Sequence, residues 1–132
     1  MEAAEALAQL MQDSSQVERA VVLDAAGSTT GSTLAAPQEA EALAQTARDL
    51  LTAAAELRSG TDEVTRVEVE LAEGAIFVLR EGERTIAATT GPRPTAGLVA
   101  YDLRTCLQAI DVPAKPKRRR SARKPNAGEG ST

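Results

Sequence analysis

The stretch AVVLDAAGSTTGST, residues 20–33, decides the fold. In one reading an apolar strand runs into a glycine- and hydroxyl-rich loop that cradles phosphate ahead of a helix. In the other the strand turns at Asp24–Gly27 and returns as a second, threonine-rich strand. A Walker-type phosphate loop spaces its glycines as G-x-x-x-x-G-K-[ST], so that backbone N–H groups wrap the phosphates while the lysine reaches the terminal ones. Gly27 and Gly31 enclose only three residues, Ser32 stands in the lysine's place, and residues 34–37, LAAP, intervene before a helical pattern begins. An anion site needs the helix N-terminus directly after its loop. The hairpin explains the same residues without a ligand: glycine supplies the turn and β-branched threonines supply the return strand.

The flanking sequence fits that hairpin into an α+β order. Ala3, Leu7, Leu10 and Met11 recur at helical spacing, which predicts a short first helix ended by DSS at 13–15. Pro37 opens a long helical segment that closes near Arg58 and Gly60. On it Leu43, Ala47, Leu50, Leu51, Ala54 and Leu57 share one face, which belongs on a sheet. Beside that face runs a stripe of short side chains, Ala42, Thr46, Asp49 and Ala53, which another helix can approach closely.

Three strand-like runs follow at 64–71, 75–80 and 84–90, separated by the turns AEGA and EGE. In the first, Val67, Val69 and Leu71 alternate with Arg66, Glu68 and Glu70, predicting one buried and one wet face. The second is apolar on both faces and is expected at the centre of the sheet. After GPRPTAG at 91–97, helical spacing returns from Leu98 to Ile110. The order is α-β-β-α-β-β-β-α. Residues 1–112 are expected to form one domain. Residues 113–132 lack apolar periodicity and are expected to form a disordered basic tail.

Composition narrows the chemistry. The chain has no histidine and a single cysteine, Cys106, so the commonest general base, the commonest metal ligand and any internal disulfide are missing. Cys106 reads as a small buried hydrophobe. Acid pairs such as Glu68 with Glu70 or Glu81 with Glu83 have the period-two spacing that acid–base chemistry uses, but solvated strand faces produce it too. Arg48, Arg58 and Arg93 read as surface charges. No catalytic residue, metal ligand, cofactor or small-molecule substrate is expected. The N-terminus carries Glu2 and Glu5 where a secretory signal is positive, and no apolar run reaches the roughly 18 residues of a membrane span. A cytoplasmic protein is expected.

The net charge of −4 is unevenly placed. Residues 1–114 hold eighteen acidic and eight basic side chains, whereas Lys115, Lys117, Arg118, Arg119, Arg120, Arg123 and Lys124 fall within ten positions. That run suits nucleic-acid phosphates or an anionic membrane surface.

Taken together, AVVLDAAG at 20–27, EAEALAQTARDLLTAAAEL at 39–57, VTRVEVEL at 64–71, AIFVLREG at 75–82 and TAGLVAYDLRTCL at 95–107 resemble the bacterial type of roadblock/dynein light chain domain. The chain departs from that pattern at Gln16-Val17, where members commonly have Gly-Val, and in its proline-rich 91–97 loop. The resemblance implies a five-stranded antiparallel sheet of roadblock, profilin-like type, with the long helix on one face and the terminal helices on the other. It also implies a non-enzymatic homodimer built through the second helix and third strand, and a role in binding and regulating a small Ras-like GTPase. Ala42, Thr46, Asp49, Ala53, Glu56, Val67 and Val69 are the expected interface residues.

Overall fold

The structure, a computed structural model, describes residues 1–57 and 65–110. Its elements are α1 (Ala3–Asp13), β1 (Val17–Leu23), β2 (Thr29–Ser32), α2 (Pro37–Leu57), β3 (Arg66–Leu71), β4 (Gly74–Glu81), β5 (Arg84–Thr90) and α3 (Ala96–Ala109). They form one antiparallel sheet in the order β2-β1-β5-β4-β3. The expected α+β architecture and element order are therefore present, with β1 and α3 starting slightly earlier than the apolar spacing indicated.

Residues 20–33 fold as the hairpin. Asp24 Oδ1 accepts the N–H groups of Ala26 and Ser28 at 2.9 and 3.0 Å, and the Asp24 carbonyl accepts that of Gly27 at 2.9 Å. Gly27 sits at φ +85°, where a side chain would be strained. The loop's amides are thus spent on the turn itself, and β2 pairs back onto β1 with Ser32 opposite Val21.

The pleat sends alternate residues of the central strands to opposite sides. Ala20, Val22, Phe77, Leu79, Ile86 and Ala88 face α1 and α3, where Leu7, Leu10, Val99, Leu103 and Leu107 complete one core. Val21, Leu23, Val78 and Ala87 face α2 and meet Ala40, Ala44, Ala47 and Leu51 in a second. The helix thus sits on the sheet through its alanines, a rotation from the expected face. Leu43 and Leu50 pack at its flank, only partly buried, and Leu57 is 88% exposed. Small side chains allow the closer approach, so the face with the least bulk is the one that docks.

The expected buried face of β3 is also corrected. Val67 and Val69 are half-buried and Leu71 is 65% exposed. β3 is an edge strand paired with β4, and the α2 core is built on β1, β5 and β4. The inner face of β3 lies beyond the helix's cover.

Two departures noted in the sequence have structural roles. The Gln16 Oε1 accepts the Thr95 N–H at 2.7 Å, tying the entrance of β1 to the start of α3. In the 91–97 loop Arg93 has a positive φ of 55°.

α1 and α3 meet in a seam that holds two carboxylates. Desolvation, then the negative charge of Asp13, raise the Asp102 pKa above its ordinary 3.8, against a lowering hydrogen bond from Ser14. The folded state therefore binds more protons than the unfolded chain over the window just above that value. The associated stability is fully present below the ordinary pKa and is lost as pH rises through the folded one. Asp102→Asn, which removes the charge and keeps a polar group for Ser14, should unfold at a higher urea midpoint than the parent at pH 7. The difference should close as pH falls below the ordinary carboxyl pKa.

A second expectation concerns Gly74, where a Cβ would lie 2.3 Å from the Thr90 carbonyl oxygen. Gly74→Ala must push β4 from β5, and should cost about 1–3 kcal/mol in urea unfolding with little change in m-value.

Candidate interaction surface

The register fixes which β3 side chains share a side with α2. Val67 is opposite Val78, Val69 opposite Ile76 and Leu71 opposite Gly74, and Val78 belongs to the α2 core. Val67, Val69 and Leu71 therefore project toward the helix side, with half-buried Ile76 next to Val69. Above them stand Leu43 and Leu50 on the flank of α2, both packed with Val67 around the same core. On α2 itself Ala42, Thr46, Asp49, Ala53 and Glu56 are all exposed. The expected helix residues therefore stand on the exposed surface of α2, while Val67 and Val69 are half-buried on β3. Leu71 and Ile76 extend the apolar face of the strand, although the alternation and the apolar run had assigned both to the interior. The signal that could have found them is position: an edge strand next to a narrow helix leaves its inner face open.

Two polar side chains of this surface are bonded within the helix. Thr46 Oγ1 donates to the Ala42 carbonyl at 3.1 Å, and Asp49 accepts the Gln45 side-chain amide at 2.9 Å. β3 also presents an outer edge of backbone N–H and C=O groups that pairs with no other strand among the described residues, a template for another chain.

The opposite flank of α2 is closed by an arginine. Arg48 Nη1 donates to the Gly27 carbonyl, while its other donors reach Glu41 and, at 2.9 and 3.3 Å, the Gln45 side-chain oxygen. It clamps the helix to the β1–β2 turn, a role that the sequence reading of Arg48 as a surface charge missed. Arg58 lies outside the described residues.

Glu68 and Glu70 stay together on the wet face of β3, whereas Glu81 and Glu83 separate. Glu68 is ion-paired with Arg66 on the wet face of β3. Glu81 lies 3.5 Å from Arg104 and accepts the Gln108 amide at 3.1 Å. Glu83 falls in the hairpin turn after β4, so Glu81 and Glu83 do not share a strand face. Cys106 is buried as expected, and desolvation pushes its thiol up to about 11, far from the thiolate form a nucleophile needs. Among the described residues no group of three or more His, Cys, Asp or Glu side chains could hold a metal ion, and no helix is long and apolar enough to cross a membrane. The basic residues from Lys115 to Lys124, and the tail expected to contain them, lie outside the described residues.

Comparison with known proteins follows this geometry. Residues 3–90 match the Roadblock/LC7 domain family. The fold is similar to the Roadblock/LC7 domain from Streptomyces avermitilis, with a TM-score of 0.72 at 22% identity over 83% of this chain and 94% of that one. It is similar to Myxococcus xanthus MglB, with a TM-score of 0.61 at 15% identity, covering 80% and 82%. It is also similar to the gliding protein MglB from Thermus thermophilus, with a TM-score of 0.59 at 16% identity, covering 82% and 84%. At these identities the likeness to solved structures is one of fold. No curated protein matches the chain.

Proposed function

The chain belongs to the Roadblock/LC7 domain family, and from that premise we propose a non-enzymatic homodimer that binds and regulates a small Ras-like GTPase. The self-association is supported by the apolar face of β3, the small exposed side chains of α2, and a β3 edge that pairs with no other strand among the described residues. α2 has 21 residues and is about 30 Å long. With β3 beside it, the flank is long enough for the roughly 800 Å² per partner that a stable interface uses. Ala42 and Ala53 let a second α2 approach closely, Val67 and Val69 add apolar surface from β3, and Asp49 and Glu56 supply acidic charge.

The GTPase part of the reading rests on the family resemblance and on what this surface can do without chemistry. A partner with two conformations is driven toward the one that is bound more tightly, and equal affinity for both shifts nothing. Regulation by this protein is therefore positional, through differential binding to the switch segments of the GTPase.

Ala53→Arg places a long cation in the middle of the proposed helix contact and should convert a dimer to a monomer by light scattering. The same replacement at exposed Ala8 of α1 should leave the mass unchanged. An Ala53→Arg protein that keeps dimer mass would remove the α2 flank from the interface. For the partner, titration of a GTPase in its GDP and GTP-analogue forms should give affinities that differ at least tenfold. Matching affinities would rule out control of nucleotide state.

A further inference from the structure

We propose, on the premise of the homodimer above, that Arg66 and Glu68 set the register in which two copies meet. β3 pairs antiparallel with β3 of the second copy about Val67, and each Arg66 lies opposite the other copy's Glu68. The two edges of the sheet differ. β2 has four residues, its pairing with β1 shifts between Val22 and Leu23, and α1 packs on it so closely that a Cβ on Gly31 would lie 2.9 Å from that of Ala3. An edge so short and irregular is protected against further pairing. β3 has six residues and pairs with β4 without a shift from Arg66 to Leu71. Its other side meets no strand among the described residues. One open edge per chain gives a closed pair, whereas two would propagate a fibre.

Backbone alternation fixes which β3 groups face outward. The Arg80 N–H donates to the Thr65 carbonyl at 2.9 Å, and the register continues with Arg66 opposite Leu79. Thr65, Val67 and Val69 therefore bond toward β4, and Arg66, Glu68 and Glu70 turn their N–H and C=O groups to the open edge. A two-fold axis perpendicular to the sheet keeps both α2 helices on one side, so even-numbered residues meet even-numbered ones. The wet-face charges then choose among the central registers, because like charges directly opposite destabilise a strand pair and unlike charges stabilise it. A pair centred on Val69 sets Glu68 against Glu70 twice. One centred on Glu68 sets that residue against its own copy, while Arg66 meets Glu70. Centred on Val67, Arg66 meets Glu68 twice and no like charges stand opposite among these residues. Arg66 and Glu68 are already ion-paired within each strand, so the four charges alternate around a square. On the helix side Val67 meets Val67, where Leu43 and Leu50 pack on the same core.

The test uses the full chain, with dimer dissociation constants from light scattering over a dilution series at about 50 mM salt, where exposed charges are less screened. R66E and E68R should each weaken the dimer at least about tenfold, since each replaces two attractive oppositions by two repulsive ones. The double variant R66E/E68R exchanges the charges and should return near the parent's affinity. An equimolar mixture of R66E with E68R should also recover dimer, a rescue between chains that repair of an ion pair within one strand cannot give. A double variant as weak as the singles, or an E68R dimer tighter than the parent's, would place the axis elsewhere and overturn the assignment. Variants that all match a dimeric parent would overturn it too, because these charges would then not face the second copy. A parent that stays monomeric would instead remove the homodimer itself, and this register with it.

Discussion

The structure depends on one constraint: β1, β5 and β4 are apolar on both faces and must be covered on both. Val22, Ile86 and Phe77 need one layer, and Val21, Ala87 and Val78 need another. Three helices share the task unequally. α1 and α3 lie together against one side and bury large residues such as Leu7, Leu103 and Phe77. α2 covers the other side alone, so a single helix has to protect a sheet five strands wide.

That arithmetic leaves the edge open. α2 docks through Ala40, Ala44 and Ala47, which brings its backbone close to the sheet but gives it little lateral reach. Arg48 draws it toward the β1–β2 turn, away from β3. Val69 and Leu71 at the far edge consequently keep much of their surface in water, and Leu43 and Leu50 stay half-covered above Val67. A contiguous apolar flank beside an unpaired strand edge is costly to leave wet and prone to pair with another chain. The proposed homodimer is the arrangement that covers it without altering the fold of either subunit.

Much of this was legible in the residues because period and punctuation agreed. The spacing of Leu7, Leu10 and Met11, the proline at 37, and the Asp24–Gly27 turn each point to one local structure, and those structures are compatible with one another. The hairpin could be separated from a phosphate loop because Ser32 occupies the lysine's place, and the amides of Ala26, Gly27 and Ser28 indeed close on Asp24. What could not be read was lateral position. Alternation places Leu71 on an inner face but cannot say whether a helix lies above it, since the edge status of β3 is set by long-range pairing. The choice between the leucine and alanine faces of α2 is likewise made by the surface it meets. Arg48 was invisible for a related reason, because its contact with Gly27 joins residues brought together only when the helix lies along β1.

The charge of the chain is unevenly placed. Eighteen acidic residues among the first 114 repel a second copy, which works against any self-association. The candidate interface meets this by composition. Among the proposed interface residues, Ala42, Thr46, Ala53, Val67 and Val69 carry no charge, and the acids are Asp49, within the small-residue stripe, and Glu56. The other half of the imbalance lies in the sequence from Lys115 to Lys124, which holds seven basic residues.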